Sequence, residues 1–181
     1  HDEGLATYFR GYLSNYLNEW CDENGYDLYS DGLVIRTTLD SRVQKYAEEA
    51  VNERMEKLQR SFYAHWQGKN PWVDQKDVEM VEFIEKIVKQ TETYRSLKKQ
   101  YGKDENRIIE ELNKPKKMSL FSWKGTIDTT LSTMDSLRYY KHFMHAGFIV
   151  LNHQKKGQIL AWVGGINFKE FKFDHVYQSK R

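Results

Sequence analysis

The chain has 181 residues, 39% of them hydrophobic and 14% aromatic, which is enough for one domain or two small ones with a real core. Its net charge of +2, spread over 30% charged residues of mixed sign, gives no electrostatic case for a nucleic-acid partner. The single cysteine, Cys21, excludes an internal disulfide and any multi-cysteine zinc site. No apolar run approaches the roughly 18 residues of a membrane span, and no signal peptide is present. The chain opens on His1 rather than Met, as expected for a segment of a larger protein or a processed mature chain.

The first segment, ATYFRGYLSNYLNEWC, places Tyr8, Phe9, Tyr12, Leu13, Tyr16, Leu17 and Trp20 at three- and four-residue steps. That spacing predicts an amphipathic helix, closed by the turn before Tyr26. The β-branched run Leu33 to Leu39 predicts a strand. Asp40 is expected to cap a long helix with an apolar stripe from Val43 to Leu58, ending near Trp66 to Gly68. A second long helix is expected from Asp74 to about Tyr101, with the stripe Val78, Val81, Ile84, Ile87, Val88, Thr91 and Tyr94. Gly102 stops it, and Asp104 starts a short helix that dies before Pro115.

After Pro115 the apolar period falls to about two. MSLFSW and GTIDTTL, joined across Lys124 and Gly125, predict a hairpin. Ser132, with Asp135 three residues on, reads as the cap of a helix expected to end at Gly147. GFIVLN and QILAWVGG, joined by HQKKG, predict a second hairpin. The fold class is therefore α+β: several helices with a small antiparallel sheet of hairpins, not a repeating βαβ.

Few residue sets carry chemistry. His142 and His145, three apart on a helix, could meet one metal, but no third ligand joins them in sequence. Ser96 and Lys99 have the Ser-x-x-Lys spacing of serine acyltransferases, which needs a desolvated lysine. They lie among Lys98, Gln100 and Lys103, where a lysine stays solvated and protonated. Neither Ser-x-Asn nor Lys-Thr-Gly occurs. The adjacent carboxylates Glu48-Glu49 and Glu110-Glu111 read as solvated faces, not as an acid/base pair. No catalytic, cofactor or metal site is assigned. The aromatic and basic tail from Phe168 to Arg181 has the alternation of a stacking surface, but Glu170 and Asp174 reduce its charge.

Two blocks together resemble the transpeptidase domain of penicillin-binding proteins. VIRTTLDSRVQKYAEEAV, residues 34–51, is similar to the strand, T-T-[IL]-D turn and Q-x-x-A-E-x-A helix that open that domain. AGFIVLNHQKKGQILAWVGG, residues 146–165, is similar to its first hairpin, with Lys156 where Ser or Thr is common and Trp162 in place of Met. GLATYFRGYL resembles the stretch that follows the glycosyltransferase domain in class A, bifunctional members. NFKEFKFDHVYQSKR resembles the loop before their catalytic serine, and residues 121–147 resemble a segment of large class A members, with Thr133 where Pro is expected.

The resemblance implies a fragment between the glycosyltransferase domain and the catalytic serine of a peptidoglycan synthase, held on the extracytoplasmic side of a bacterial inner membrane. No catalytic residue carries over. It implies a linker helix at 1–32, early transpeptidase elements at 33–57 and 146–181, and an inserted helical and hairpin module at 58–145. The implied role is non-catalytic, as linker or regulatory segment. Partners would be the other domains of the synthase, a regulatory cell-envelope protein or peptidoglycan, and not nucleic acid. Trp66, Trp72, Tyr94 and Phe171 are the candidate exposed contacts. Self-association is expected through an open sheet face near Phe148, Ile159 and Trp162. The rival readings are a hydrolase or acyltransferase using Ser96 and Lys99, and a stand-alone glycan- or protein-binding module.

Overall fold

The computed structural model describes residues 3–179. Among them are six α-helices and two separate two-stranded antiparallel sheets, an α+β fold as expected. The chain divides into two compact units: His1–Leu58 with Met144–Arg181, and Gln59–Phe143.

In the first unit, α1 (Thr7–Asn24) ends on Gly25, whose left-handed φ of 72° suits a residue without Cβ. Helix α2 (Ser41–His65) runs across the boundary at Leu58. Its cap is Asp40, whose Oδ1 accepts from the backbone N–H of Arg42 at 2.9 Å and Val43 at 3.3 Å. The strands β3 (Phe148–Asn152) and β4 (Gln158–Val163) form a hairpin with a register shift between Val150 and Leu151. The connection is a 3₁₀ turn, His153–Lys155, followed by Lys156 and Gly157, both in the left-handed region.

One expectation for this unit fails and a second holds only in part. Residues 33–39 form no strand. They run beside β4, touching it through Thr38 Oγ1, which donates to the Ile159 carbonyl at 2.7 Å, and Asp40 N–H, which donates to that of Leu160 at 3.0 Å. One backbone bond makes no ladder, and Val34 and Ile35 stay exposed because nothing covers them. The open face expected at Phe148, Ile159 and Trp162 is also reduced. Trp162 is buried and Ile159 half-buried, which leaves Phe148, Ile149 and Leu151 of β3 exposed.

The second unit is built on α3 (Phe83–Val88), α4 (Glu92–Tyr101), α5 (Glu105–Asn113) and α6 (Thr133–Lys141), with the hairpin β1 (Lys116–Ser122) and β2 (Gly125–Leu131). The hairpin pairs Lys116 with Leu131 through to Ser122 with Gly125, around Trp123 and Lys124. Its core joins Trp72, Ile84, Val88, Tyr94, Ile108, Leu112 and Met134. Side-chain caps start three helices: Thr91 accepts from Tyr94 N–H, Asp104 from Arg107 N–H and Ser132 from Asp135 N–H.

The single helix expected over 74–101 is instead a turn and two short helices. Asp74 Oδ1 accepts from Lys76 N–H at 2.8 Å and Val78 N–H at 3.0 Å, drawing the backbone into a turn that puts Asp77 at φ 58°. Val78 and Val81, expected on the apolar stripe, are consequently exposed. Thr91 then caps a new helix, which breaks the stripe again. Helix α6 stops at Lys141, six residues before the expected Gly147.

Ile108 is fully buried, whereas its neighbour Ile109 is 52% exposed. Ile108→Ala is expected to cost about 2–5 kcal/mol in urea unfolding. Ile109→Ala should stay within about 0.5 kcal/mol of the parent chain.

Candidate functional site: an aromatic groove beside helix α1

The site begins with one indole. A buried tryptophan needs an acceptor for its single N–H. Trp162, on β4, donates from Nε1 to Asp174 Oδ2 at 2.8 Å, and both residues are buried. The other oxygen of Asp174 accepts from Val176 N–H at 2.9 Å and Tyr177 N–H at 3.3 Å. Gln178 closes the turn twice: its N–H donates to the Asp174 carbonyl, and its Oε1 accepts from Asp174 N–H at 2.8 Å. The carboxylate thereby shapes the turn that carries Tyr177.

The backbone of Trp162 is read by a side chain instead of a strand. Gln44 of α2, almost fully buried, accepts from Trp162 N–H at 2.7 Å and donates to its carbonyl at 2.9 Å. Gln44 also donates to Glu48 Oε1 at 2.7 Å, one helical turn on. The same oxygen accepts from Ala6 N–H at 2.7 Å, just before α1. Ala6 has a left-handed φ of 57°, costly for a residue with Cβ, and Glu48 helps to hold it there.

Tyr8 covers Gly164 and Gly165. A Cβ at Gly164 would stand 2.5 Å from Asp174 Oδ1 and 2.7 Å from the Tyr8 ring, and one at Gly165 would collide with the Tyr8 hydroxyl. Both positions require glycine because of close approach, not because of backbone angle. The Tyr8 hydroxyl donates to the Phe171 carbonyl at 2.6 Å, and its ring meets Phe168 edge-on at 4.9 Å. Burial pushes the Tyr8 pKa well above the ordinary tyrosine value.

One turn along α1, Tyr12 stacks on Trp162 at 5.3 Å and lies 4.8 Å from the Tyr177 ring. These rings open into a groove of about 470 Å³. Asn15, Tyr16 and Glu19 of α1 form one wall, and Phe168, Lys172, Tyr177 and Gln178 the other. Tyr16 and Tyr177 are 54% and 63% exposed.

The four expected contact residues lie elsewhere. Trp72 and Tyr94 are buried, which corrects their expected exposure. Trp72 stacks on Phe83 at 5.3 Å and meets His142 edge-on, and the Tyr94 hydroxyl donates to the Glu105 carboxylate at 2.9 Å. With Val78 and Val81 turned outward, these rings supply the apolar area of that core. Trp66 is half-buried beside His65 and Phe62, and Phe171 is half-buried against the His145 ring at 4.8 Å. The tyrosines of α1 were legible only as a core stripe. The signal for a surface role was that Tyr, not Leu, stands at positions 12 and 16.

The other chemical candidates are not brought together. Ser96 and Lys99 are both exposed on α4. His142 Nδ1 lies 2.8 Å from the Arg138 carbonyl, while His145 stacks on His175 at 5.0 Å. Burial moves the His175 pKa down, against the opposing charge of Asp174. Among the described residues no group of three His, Cys, Asp or Glu side chains is placed to hold a metal.

Residues 67–144 match the family model of the penicillin-binding protein middle domain, a non-catalytic region. The matched segment is under half of the chain, and it supports a penicillin-binding protein middle region there. No curated protein and no solved structure matches the chain.

Gln44→Ala would strand the buried N–H and carbonyl of Trp162, and a loss of about 2–4 kcal/mol is expected in chemical denaturation. The tyrosines set an alkaline limit. The pKa of Tyr63 is pushed up to about 12 by burial, and those of Tyr8 and Tyr139 move the same way. A phenol with a raised folded pKa holds its proton more tightly when folded. Stability should therefore be complete below about pH 10, the unfolded value, and fall as pH rises through the folded values. Tyr8→Phe should cost about 1 kcal/mol at neutral pH and make the fall above pH 10 shallower, as read from melting temperature against pH.

Proposed function

We propose that the chain is a non-catalytic linker or regulatory segment of a bifunctional peptidoglycan synthase on the extracytoplasmic side of a bacterial membrane. In this reading the parent protein polymerises glycan in one domain and cross-links peptides through an acyl-serine in another. The observation that carries it is the match of residues 67–144 to a non-catalytic middle domain. The blocks at 34–51 and 146–165, which resemble early transpeptidase elements, flank the matched segment on both sides. The unit 59–143 has its own core, as a module that orients domains or receives a regulatory protein needs. No helix among the described residues is long and apolar enough to cross a membrane.

The acyltransferase alternative needs Lys99 to accept a proton from Ser96. Ser96 and Lys99 are both exposed on α4, without the desolvation that this mechanism requires of its lysine. Treatment with a fluorescent β-lactam separates the readings. The 181-residue chain should take no covalent label, and the full-length protein should be labelled on a serine outside it. An adduct on Ser96, or an unlabelled full-length protein, would overturn the proposal.

A further inference from the structure

The second unit carries a cavity of about 410 Å³ at the end of α2, within the size range of a small-molecule site. Trp66 supplies its aromatic wall, with the His65 ring edge-on to the indole at 5.2 Å. The chain then turns at Gly68, where Lys69 N–H donates to the Trp66 carbonyl at 2.9 Å. The segment 72–80 folds into a miniature hairpin beside it. Val73 and Glu79 form an antiparallel bridge, Met80 N–H donates to the Trp72 carbonyl at 2.9 Å, and Asp74 N–H donates to that of Val78 at 2.8 Å. Asp77 stands near its tip in the left-handed region, which Asp tolerates better than most residues. The carboxylates of Asp77 and Glu79, both in the lining, are thus carried on backbone fixed before any ligand arrives.

The cavity holds acceptors and a donor around one indole. Glu79 Oε1 accepts from Asn70 Nδ2 at 2.7 Å, which leaves the Asn70 oxygen and the second Glu79 oxygen as acceptors. Among the described residues the Asp77 carboxylate and the Lys69 ammonium, both exposed, have no side-chain partner. Two carboxylates against one ammonium disfavour a phosphate or a nucleotide. Val73 is the one aliphatic side chain in the lining, too little to anchor an apolar peptide. A pyranose fits both features: its C–H face packs on an indole, and each hydroxyl donates and accepts. An acetamido substituent adds one N–H for a carboxylate and one carbonyl for the ammonium.

We infer that this cavity binds an N-acetylated oligosaccharide, one ring lying on Trp66 with its polar substituents among Asp77, Glu79 and Lys69. The site stands on its own side chains. Only the ligand's source, a cell-wall glycan strand, rests on the proposed function, and the β-lactam labelling and a sugar titration fail independently.

The test is isothermal titration calorimetry of the 181-residue chain with a β-1,4-linked N-acetylglucosamine hexamer. Saturable binding is expected, and cellohexaose, which lacks the acetamido groups, should bind about threefold or more weakly. Trp66→Ala should weaken the hexamer by about tenfold or more, and Trp66→Phe, which keeps a ring and the packing, by about threefold. Asp77→Asn keeps a residue that tolerates the left-handed backbone, so it should weaken binding about fivefold without moving the melting temperature. Tyr16→Ala, in the α1 groove, should bind like the parent chain. The inference is overturned if the hexamer does not saturate, if cellohexaose binds as tightly, or if Trp66→Phe and Asp77→Asn both bind like the parent. It is equally overturned if Tyr16→Ala abolishes binding, or if trilysine saturates the chain and the hexamer does not.

Discussion

The burial of Trp162 is the constraint on which the first unit depends. An indole is large enough to supply core area by itself, but its N–H must find an acceptor, and its strand must be paired on both edges. Asp174 meets the first demand, and β3 with Gln44 meets the second. Each solution positions something further. Asp174 shapes the turn that presents Tyr177, and Gln44 binds α2 to β4 where no further strand pairs. Glu48, one turn beyond Gln44, fixes the start of α1 and so the row of tyrosines that lines the groove.

The second unit follows a different logic. Its aliphatic residues are few, and two of the valines that should have joined the core are turned to solvent by the Asp74 turn. Trp72 and Tyr94 take their place, and Tyr94 remains satisfied because Glu105 accepts its hydroxyl proton. A short polar side chain thus decides which large side chains are interior, by competing for backbone N–H groups that a continuous helix would have used.

Local signals were legible where physics is local. Asp40, Asp104 and Ser132 announce helix starts because a short oxygen acceptor can serve the first free N–H groups only from that position. The two hairpins were legible from alternation and turn residues. The extended run 33–39 was misread because β-branching signals extension but not pairing, and a ladder needs a partner strand. The groove was not legible, since its walls come from α1 and a turn more than 150 residues away.

What the sequence by itself determined was the α+β class, the helix starts at Asp40, Asp104 and Ser132, and the two hairpins. These depend on neighbours within a few bonds. Only the tertiary structure decided which aromatic rings became core and which became surface. Trp72 lies just before the helix expected over 74–101 and Tyr16 on the apolar stripe of α1, and nothing within a turn of either shows which will be buried. One is enclosed in a core with side chains of α3, α4, α5 and α6, and the other is left open beside the Asp174 turn. Burial is a property of what arrives from elsewhere in the chain, and hydrophobic area gains free energy only when such a partner covers it.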